Sequence, residues 1–349
     1  MSPDRAITTE PEPDELHLGA TDTGAPLLEV DDLRVRFTAH GRRVHAVNGL
    51  TYRLWPGRML AIVGESGSGK SVSARTLMGL LPPTAELSGS ARFDGVELLG
   101  LSEREMRGRR GADIAMVFQD PARSLNPTMR IGAQITEAIR AHAQVSKDQA
   151  GQDALELLRL VRLAAPERRF HEYPHQLSGG MRQRVMIAIA LAANPRLLIA
   201  DEATTSLDVT TQAQIMELLL DLQRRLNMAV VLISHDLGLA ASYAEDVIVM
   251  YAGRAVEYAP TSTLFEHVRM PYTRALLGAV PVLDREAHAL LPVIPGQPPD
   301  LGSLPDGCAF RPRCPAATDE CAQAPPFAEH EPGHWWACWH PVTDEEGAA

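Results

Sequence analysis

Residues Gly64-Glu65-Ser66-Gly67-Ser68-Gly69-Lys70-Ser71 fit the pattern G-x-x-x-x-G-K-[ST] without exception. Glycines at this spacing let backbone N–H groups curl round a β-phosphate, and a helix beginning near Lys70 turns its positive end towards the same anion. Lys70 then reaches the β- and γ-phosphates, and the Ser71 hydroxyl is placed to ligate Mg2+. A glycine-rich turn with a chance lysine would have the same composition. Here, however, an apolar strand candidate (Leu60 to Val63) precedes the loop and a helical pattern (Val72 to Leu81) follows it.

The run Leu197-Leu-Ile-Ala-Asp201-Glu202 supplies a complementary pair of acids. An apolar strand ending in adjacent carboxylates delivers both to the C-terminal edge of a sheet. Asp201 is placed to hold Mg2+ through a water, and Glu202 to polarise an attacking water. On their own, two acids after a strand are most simply a solvated strand end; the phosphate loop upstream is what gives them a use. Gln119 follows the strand candidate Ile114 to Phe118, and His235 follows Ala229 to Ile233. Both arrive at the same edge, Gln119 within reach of Mg2+ or the lytic water and His235 of the γ-phosphate. Isolated polar residues of either type are commonplace, so their order and strand context carry the assignment.

All four cysteines, Cys308, Cys314, Cys321 and Cys338, fall in one short stretch near the C-terminus. In a reducing compartment such clustering favours metal or cluster ligation over disulfides. Four thiolates suit either zinc or an iron–sulfur cluster. Their spacing is neither a simple zinc ribbon nor a bacterial ferredoxin run, and metal-free cysteines remain the third possibility. Trp335, Trp336 and Trp339 flank Cys338 and are expected to pack against that centre or a neighbouring subunit. His334 and His340 are spare ligand candidates for which solvent exposure is the simpler expectation.

These residues need a scaffold. Continuous apolar strands alternating with helices indicate a mostly parallel sheet covered on both faces. From Pro121 to Arg168 the chain turns helical, with segments around Ile131 to Ala143 and Asp153 to Val161, as an inserted helical subdomain would. Helices are expected over Met181 to Ala193 and Thr211 to Leu226, and a terminal hairpin around Gly253. After about residue 277 the periodicity fails. Residues 1–25 hold six acidic side chains against one basic and read as a disordered leader. No internal repeat is seen, so one such domain is expected.

Lys plus Arg number 33 against 44 Asp plus Glu, a formal charge of −11. That balance argues against extensive binding to DNA or RNA. No apolar run reaches the roughly 18 residues needed to cross a bilayer, and the first residues lack a secretory signal. The expected location is cytosolic.

Leu177-Ser178-Gly179-Gly180-Met-Arg-Gln-Arg184 resembles the signature of ABC (ATP-binding cassette) ATPases. Ser178, Gly179 and Gly180 at a helix start form a second anion cradle. Since the chain has its own phosphate loop, a second cradle makes sense facing ATP on a partner, as in ABC proteins, where two nucleotides are sandwiched between two cassettes. By the same resemblance, Ser206-Leu-Asp208 looks like the loop that crosses the dimer interface, and Phe37 like the aromatic that stacks on adenine. A core phenylalanine is the alternative for Phe37.

More narrowly, the chain resembles ATP-binding subunits of the oligopeptide/dipeptide/nickel importer family. The resemblance rests on Phe118-Gln-Asp-Pro-Ala-Arg-Ser-Leu-Asn-Pro127, Glu172-Tyr-Pro-His-Gln-Leu177 running into the signature, Pro271-Tyr-Thr-Arg-Ala-Leu-Leu277 and Ile294-Pro-Gly-Gln-Pro-Pro299. It implies an α/β fold: a P-loop ABC ATPase domain with a RecA-like sheet core and an inserted helical subdomain, plus a small Cys-rich C-terminal extension. The implied boundaries are a leader over 1–25, the ATPase domain over 26–277 with its helical subdomain at about 121–190, and the extension over 278–349. ATP and Mg2+ are the implied cofactors, with a [4Fe-4S] cluster, or else Zn2+, on the four cysteines. Implied partners are a second cassette, identical or homologous, two transmembrane permeases and, indirectly, an extracytoplasmic solute-binding protein. The implied place is the cytoplasmic face of the plasma membrane. Oligopeptides or dipeptides are the expected cargo, with nickel or another small solute as the alternative. Chromosome-type ABC ATPases separate the loop from the signature by a long coiled coil, absent here, and ribosome-associated ones usually carry two cassettes. An exporter subunit fits the core motifs but not the C-terminal region.

Overall fold

A computed structural model describes residues 24–39, 41–205, 207–279 and 294–343. All of the expected leader except Gly24 and Ala25 lies outside these residues, as does Ser206 of the expected interface loop. The strands are β1 (Leu28–Ala39), β2 (Arg42–Leu54), β3 (Met59–Val63), β4 (Glu86–Phe93), β5 (Val96–Glu97), β6 (Ile114–Val117), β7 (Leu197–Asp201), β8 (Ala229–Ser234), β9 (Asp246–Tyr251), β10 (Arg254–Pro260), β11 (Ala328–Glu331) and β12 (His334–Trp336). The helices are α1 (Lys70–Leu77), α2 (Glu103–Arg109), α3 (Pro121–Ser124), α4 (Ile131–His142), α5 (Lys147–Leu160), α6 (Pro166–Arg169), α7 (Gly179–Ala190), α8 (Val209–Leu226), α9 (Leu237–Tyr243), α10 (Thr261–Glu266) and α11 (Pro271–Gly278).

The main sheet runs β11-β12-β10-β9-β3-β8-β7-β6, and its central pairs, β9-β3-β8-β7-β6, are parallel. Each of those five strands is buried along its whole length, as strands covered on both faces must be. Alternation along β3 sends Met59, Ala61 and Val63 to one core, shared with α7, α8 and the helical arm α4–α5. Leu60 and Ile62 go to the other, shared with α1 and the antiparallel sheet β2-β1-β4-β5. Each Val, Leu or Ile so buried contributes about 1.5–3 kcal/mol.

Several boundaries move from the expected ones for local reasons. Helix α1 starts at Lys70, two residues early, because Gly69 takes φ +102° and ends the loop there. It stops at Leu77, well before Pro82, where Gly79 turns left-handed at φ +58°. Helix α8 starts at Val209 because the Asp208 carboxylate caps it, accepting from the Thr211 N–H at 2.9 Å and the Thr211 hydroxyl at 2.7 Å.

The cysteine-bearing segment is not set apart as a unit of its own. Its hairpin β11–β12 continues the main sheet, with Trp336 opposite Glu257 and Trp335 opposite Tyr258 of β10. Cys308, Cys314 and Cys338 pack on the core that holds α7 and α8. A stretch this poor in apolar residues lacks the means to build a core, so it borrows one. His334, expected at the surface, is instead fully buried. It faces the equally buried Glu257 carboxylate at 2.9 Å, and that carboxylate also accepts from the Arg269 and Met270 N–H groups. A buried carboxylate needs such partners. Among the tryptophans, Trp335 packs by Phe327, Trp336 stacks on His330, and only Trp339 lines the cysteine pocket. Among the described residues, no helix is long and apolar enough to cross a membrane.

Candidate functional site

Strand register decides which polar residues meet. Val63 lies opposite Ser234, Asp201 opposite Ile233, and Val117 opposite Ala200. The residues following β3, β6, β7 and β8 therefore leave the sheet side by side at its C-terminal edge, where open α/β sheets bind ligands. The phosphate loop, Gln119, Asp201–Glu202 and His235 are those residues.

The loop wraps its own lysine. The Lys70 ammonium donates to the Gly64 and Glu65 carbonyls at 2.7 and 2.9 Å. Burial pushes its pKa down, and the charges of Glu202, Asp201 and Glu65 resist that shift. The loop has no room for side chains at its two ends. A Cβ on Gly64 would lie 2.2 Å from the Met250 carbonyl oxygen, and one on Gly69 would lie 2.3 Å from that of Ala46. Gly69→Ala is therefore expected to destabilise the fold, by about 1–3 kcal/mol from the left-handed backbone alone and more from the clash. A thermal melt beside the unaltered chain checks it; an unchanged Tm would mean that the loop yields.

Beside the loop, the Ser71 hydroxyl donates to Asp201 Oδ1 at 2.6 Å. These are the two oxygens expected to share a magnesium ion, already adjacent. Burial raises the Asp201 pKa, an effect that the Ser71 hydrogen bond and nearby Arg75 oppose. Arg75 lies 3.7 Å from Asp201 Oδ2. Sequence reasoning missed it, although it stands one helical turn past Ser71 on α1 and so faces the same way.

Glu202 is the meeting point. Gln119 Nε2 donates to Glu202 Oε2 at 2.7 Å, the Thr205 hydroxyl lies 3.4 Å from that oxygen, and His235 Nδ1 is 3.8 Å away. Its own backbone is left-handed, φ +48°, a conformation that costs an ordinary residue free energy and collects at functional sites. The Glu202 N–H bonds to the Ile233 carbonyl at 3.0 Å, which holds that turn. The arrangement can align a water against a phosphate held by the loop, with a carboxylate to take its proton.

The remaining candidates lie elsewhere. Ser178 caps α7, its hydroxyl accepting from the Met181 N–H at 3.3 Å. Gly179 and Gly180 follow, Gly179 beside Leu207 just before α8 and Gly180 beside Thr211 in the first turn of α8. This second helix start is separate from the cluster around Glu202. Phe37 is half-buried in β1 opposite Val44, packed at the margin of the second core. Ala46, two residues along from Val44, is the residue whose carbonyl crowds Gly69, so that strand pair runs past the phosphate loop.

The four cysteines line one small cavity of about 10 Å3 with Trp339 and His340. Burial raises the Cys308 and Cys314 pKa values, and it pushes the Cys338 thiol up to about 12, helped by the charges of the other three. Among the described residues, no group of three or more His, Cys, Asp or Glu is arranged to hold a metal ion. The thiols thus converge without closing into a coordination shell. His340 Nε2 lies 2.7 Å from the Thr318 hydroxyl, which in turn lies 3.8 Å from Cys321 Sγ.

Residues 47–205 match the ABC transporter family, and residues 256–321 match the oligopeptide/dipeptide transporter C-terminal region. The chain is 49% identical over 334 residues to the oligopeptide transport ATP-binding protein OppD of Salmonella typhimurium, covering 94% of this chain and 99% of that one. It is 48% identical over 316 residues to the dipeptide transport ATP-binding protein DppD of Bacillus subtilis, covering 90% and 94%. Its fold is similar to a dimeric post-hydrolysis state of the ATP-binding cassette MJ0796 bound to ADP and Pi, with 29% identity, a TM-score of 0.60, and coverage of 67% of this chain and 98% of that one. With a phosphate loop, an Asp-Glu strand end and similarity over nearly the full length of the OppD and DppD subunits, this ABC-type ATPase belongs to the ATP-binding subunits of the oligopeptide/dipeptide ABC transporter family.

Proposed function

We propose that the chain hydrolyses ATP to drive import of oligopeptides or dipeptides through two membrane permeases, at the cytoplasmic face of the plasma membrane. The observation that carries the chemistry is Glu202, gripped by Gln119 beside the Ser71–Asp201 pair. In this reading the loop from Gly64 to Ser71 holds the phosphates. Ser71, Asp201 and Gln119 serve Mg2+, Glu202 is the base, and His235 contacts the γ-phosphate. Phe37 stacks on adenine. The ATPase domain runs over 26–277 with its helical subdomain at about 121–190, and the cysteine-bearing region follows.

Ser178, Gly179 and Gly180 serve a nucleotide on a second cassette in a head-to-tail dimer. Val209, 83% exposed at the start of α8, and the neighbouring Leu207 suit a face that a partner covers. A cleft of about 910 Å3 among α4, α5 and Phe170, edged by Arg130, Glu137, Arg140 and His171, fits a helical projection of a permease. Closure of the dimer on ATP and reopening after hydrolysis would reorient the permeases. A peptide cargo is what the names of the full-length relatives support.

A gentle detergent pull-down of the tagged chain from its native membranes, read by mass spectrometry, tests this. Two integral permeases and a second cassette are expected, and the associated binding protein then identifies the cargo by direct ligand assay. A nickel-selective binding protein would replace peptides with metal. Ribosomal or DNA-repair partners, with no membrane protein, would end the transport reading.

We further infer that Cys308, Cys314, Cys321 and Cys338 hold a [4Fe-4S] cluster, Zn2+ being the alternative. Four soft donors lining one cavity support this, and binding would release the thiol protons. The group would staple a segment without its own core. After anaerobic purification, iron and sulfide should be found in nearly equal amounts, and Cys321→Ser should lose both and lower the Tm. Zinc without iron would sink the cluster.

A further inference from the structure

Seven of the eight phosphate-loop residues are Gly, Ser or the lysine; Glu65 is the exception. Its carboxylate lies in the loop that is to receive a triphosphate, close enough that its charge acts on Lys70. Left alone it would repel the ligand. Glu65 is not left alone, and its partner comes from the far end of the chain. Arg313 Nη1 donates to Glu65 Oε2 at 2.7 Å and Nη2 donates to Oε1 at 3.0 Å, a bidentate fork that fixes both distance and plane. The same guanidinium donates through Nε to the Pro295 carbonyl at 2.8 Å. It also lies 5.9 Å from the ring centroids of both Tyr251 and Phe310. The Arg313 side chain is only 5% exposed and that of Glu65 22%. A second strut holds the backbone, since the Glu65 N–H donates to the Tyr272 hydroxyl at 2.9 Å. Tyr272, Tyr251 and Phe310 form one aromatic group with centroids 4.5 to 5.3 Å apart. Pro298 to Leu301 wall a cavity of about 300 Å3 against Glu65 to Ser68.

We propose that Arg313 is a positioning residue for ATP: from the cysteine-bearing segment it clamps and neutralises Glu65, so that the phosphate loop is held open to a triphosphate with no bare carboxylate facing it. The proposal rests on the loop being the nucleotide site. It gives the C-terminal segment a direct hand in nucleotide affinity, and Arg313 adjoins Cys314 in sequence. Arg313 touches neither the reacting atoms nor, by its placement behind Glu65, the phosphates. Its signature is therefore a change in affinity and KM with little change in kcat.

The test uses the full chain, with Kd for a non-hydrolysable ATP analogue and steady-state kinetics side by side. Arg313→Ala is expected to weaken binding and raise KM by about tenfold, a typical coupling between linked sites, while kcat holds within about twofold. Arg313→Lys keeps the charge without the fork and should fall between. Glu65→Gln should bind at least as tightly as the unaltered chain, and Glu65→Gln with Arg313→Ala should recover most of the loss, since no charge is left to neutralise. A merely structural arginine would leave the double variant as weak as Arg313→Ala. Unchanged affinity in Arg313→Ala, or no recovery in the double variant, overturns the proposal. Should Arg313→Ala fail to fold, Glu65→Gln still decides: weakened binding there overturns it as well. Lys70→Ala separates the two readings, because retained affinity in that variant removes the loop as the nucleotide site altogether.

Discussion

Glu202→Gln is expected to cut ATP turnover by about 10²–10⁴-fold, the usual contribution of a positioned general base, while ATP still binds. The amide keeps the size and much of the hydrogen bonding of the carboxylate but cannot accept a proton from water. Gln119 donates to Glu202 Oε2 at 2.7 Å, and the amide oxygen of the variant can take up that bond, so the geometry around the loop should survive. Ser71 and Asp201, joined at 2.6 Å, are left in place for the magnesium ion proposed there. ATP would then be held without being spent, and a cassette dimer closed on ATP should accumulate, visible by size-exclusion chromatography with ATP and Mg2+. Turnover at the unaltered rate would remove Glu202 as the base and direct attention to His235, 3.8 Å away.

Gly179→Asp is expected to silence one nucleotide site by about 10²–10³-fold, the scale of losing a set of donors aimed at developing charge, and the silenced site should be the partner's. Folding should not suffer. The new Cβ meets nothing nearer than Leu207 at 3.4 Å, and an acid in the first turn suits the helix dipole of α7. The same carboxylate repels a phosphate brought to that helix start. Pairing the change with Lys70→Ala tells own site from partner site. If the cradle serves the partner's ATP, the two changes on opposite chains of a dimer damage the same site and leave the other intact, whereas on one chain they damage both. Activity retained only by the same-chain combination would mean that each cassette uses its own signature.

The chemistry of this chain was legible in its linear order, for a physical reason. A phosphate loop must follow a strand and open a helix, and the acids must end a neighbouring strand, so each motif is local and carries its context. Gln119 and His235 were singled out the same way, Gln119 as the first polar residue beyond an apolar strand and His235 as the second, after Ser234. Helix ends were less legible, because Gly69 and Asp208 set them through a left-handed turn and a side-chain cap that periodicity does not register.

What the sequence alone determined is thus the set of strand-end residues, their order and the class of reaction they can perform. The tertiary structure decided who meets whom. Only the parallel register of β3, β8, β7 and β6 brings Gln119 to Glu202 across 83 positions. Only the packing of the last hundred residues places His334 under β10 against Glu257 and Arg313 against Glu65, 248 positions away. A lone arginine or histidine in a Pro-rich segment carries no local sign of its partner. Its meaning comes from the burial that makes an unpaired charge costly, and burial belongs to the fold.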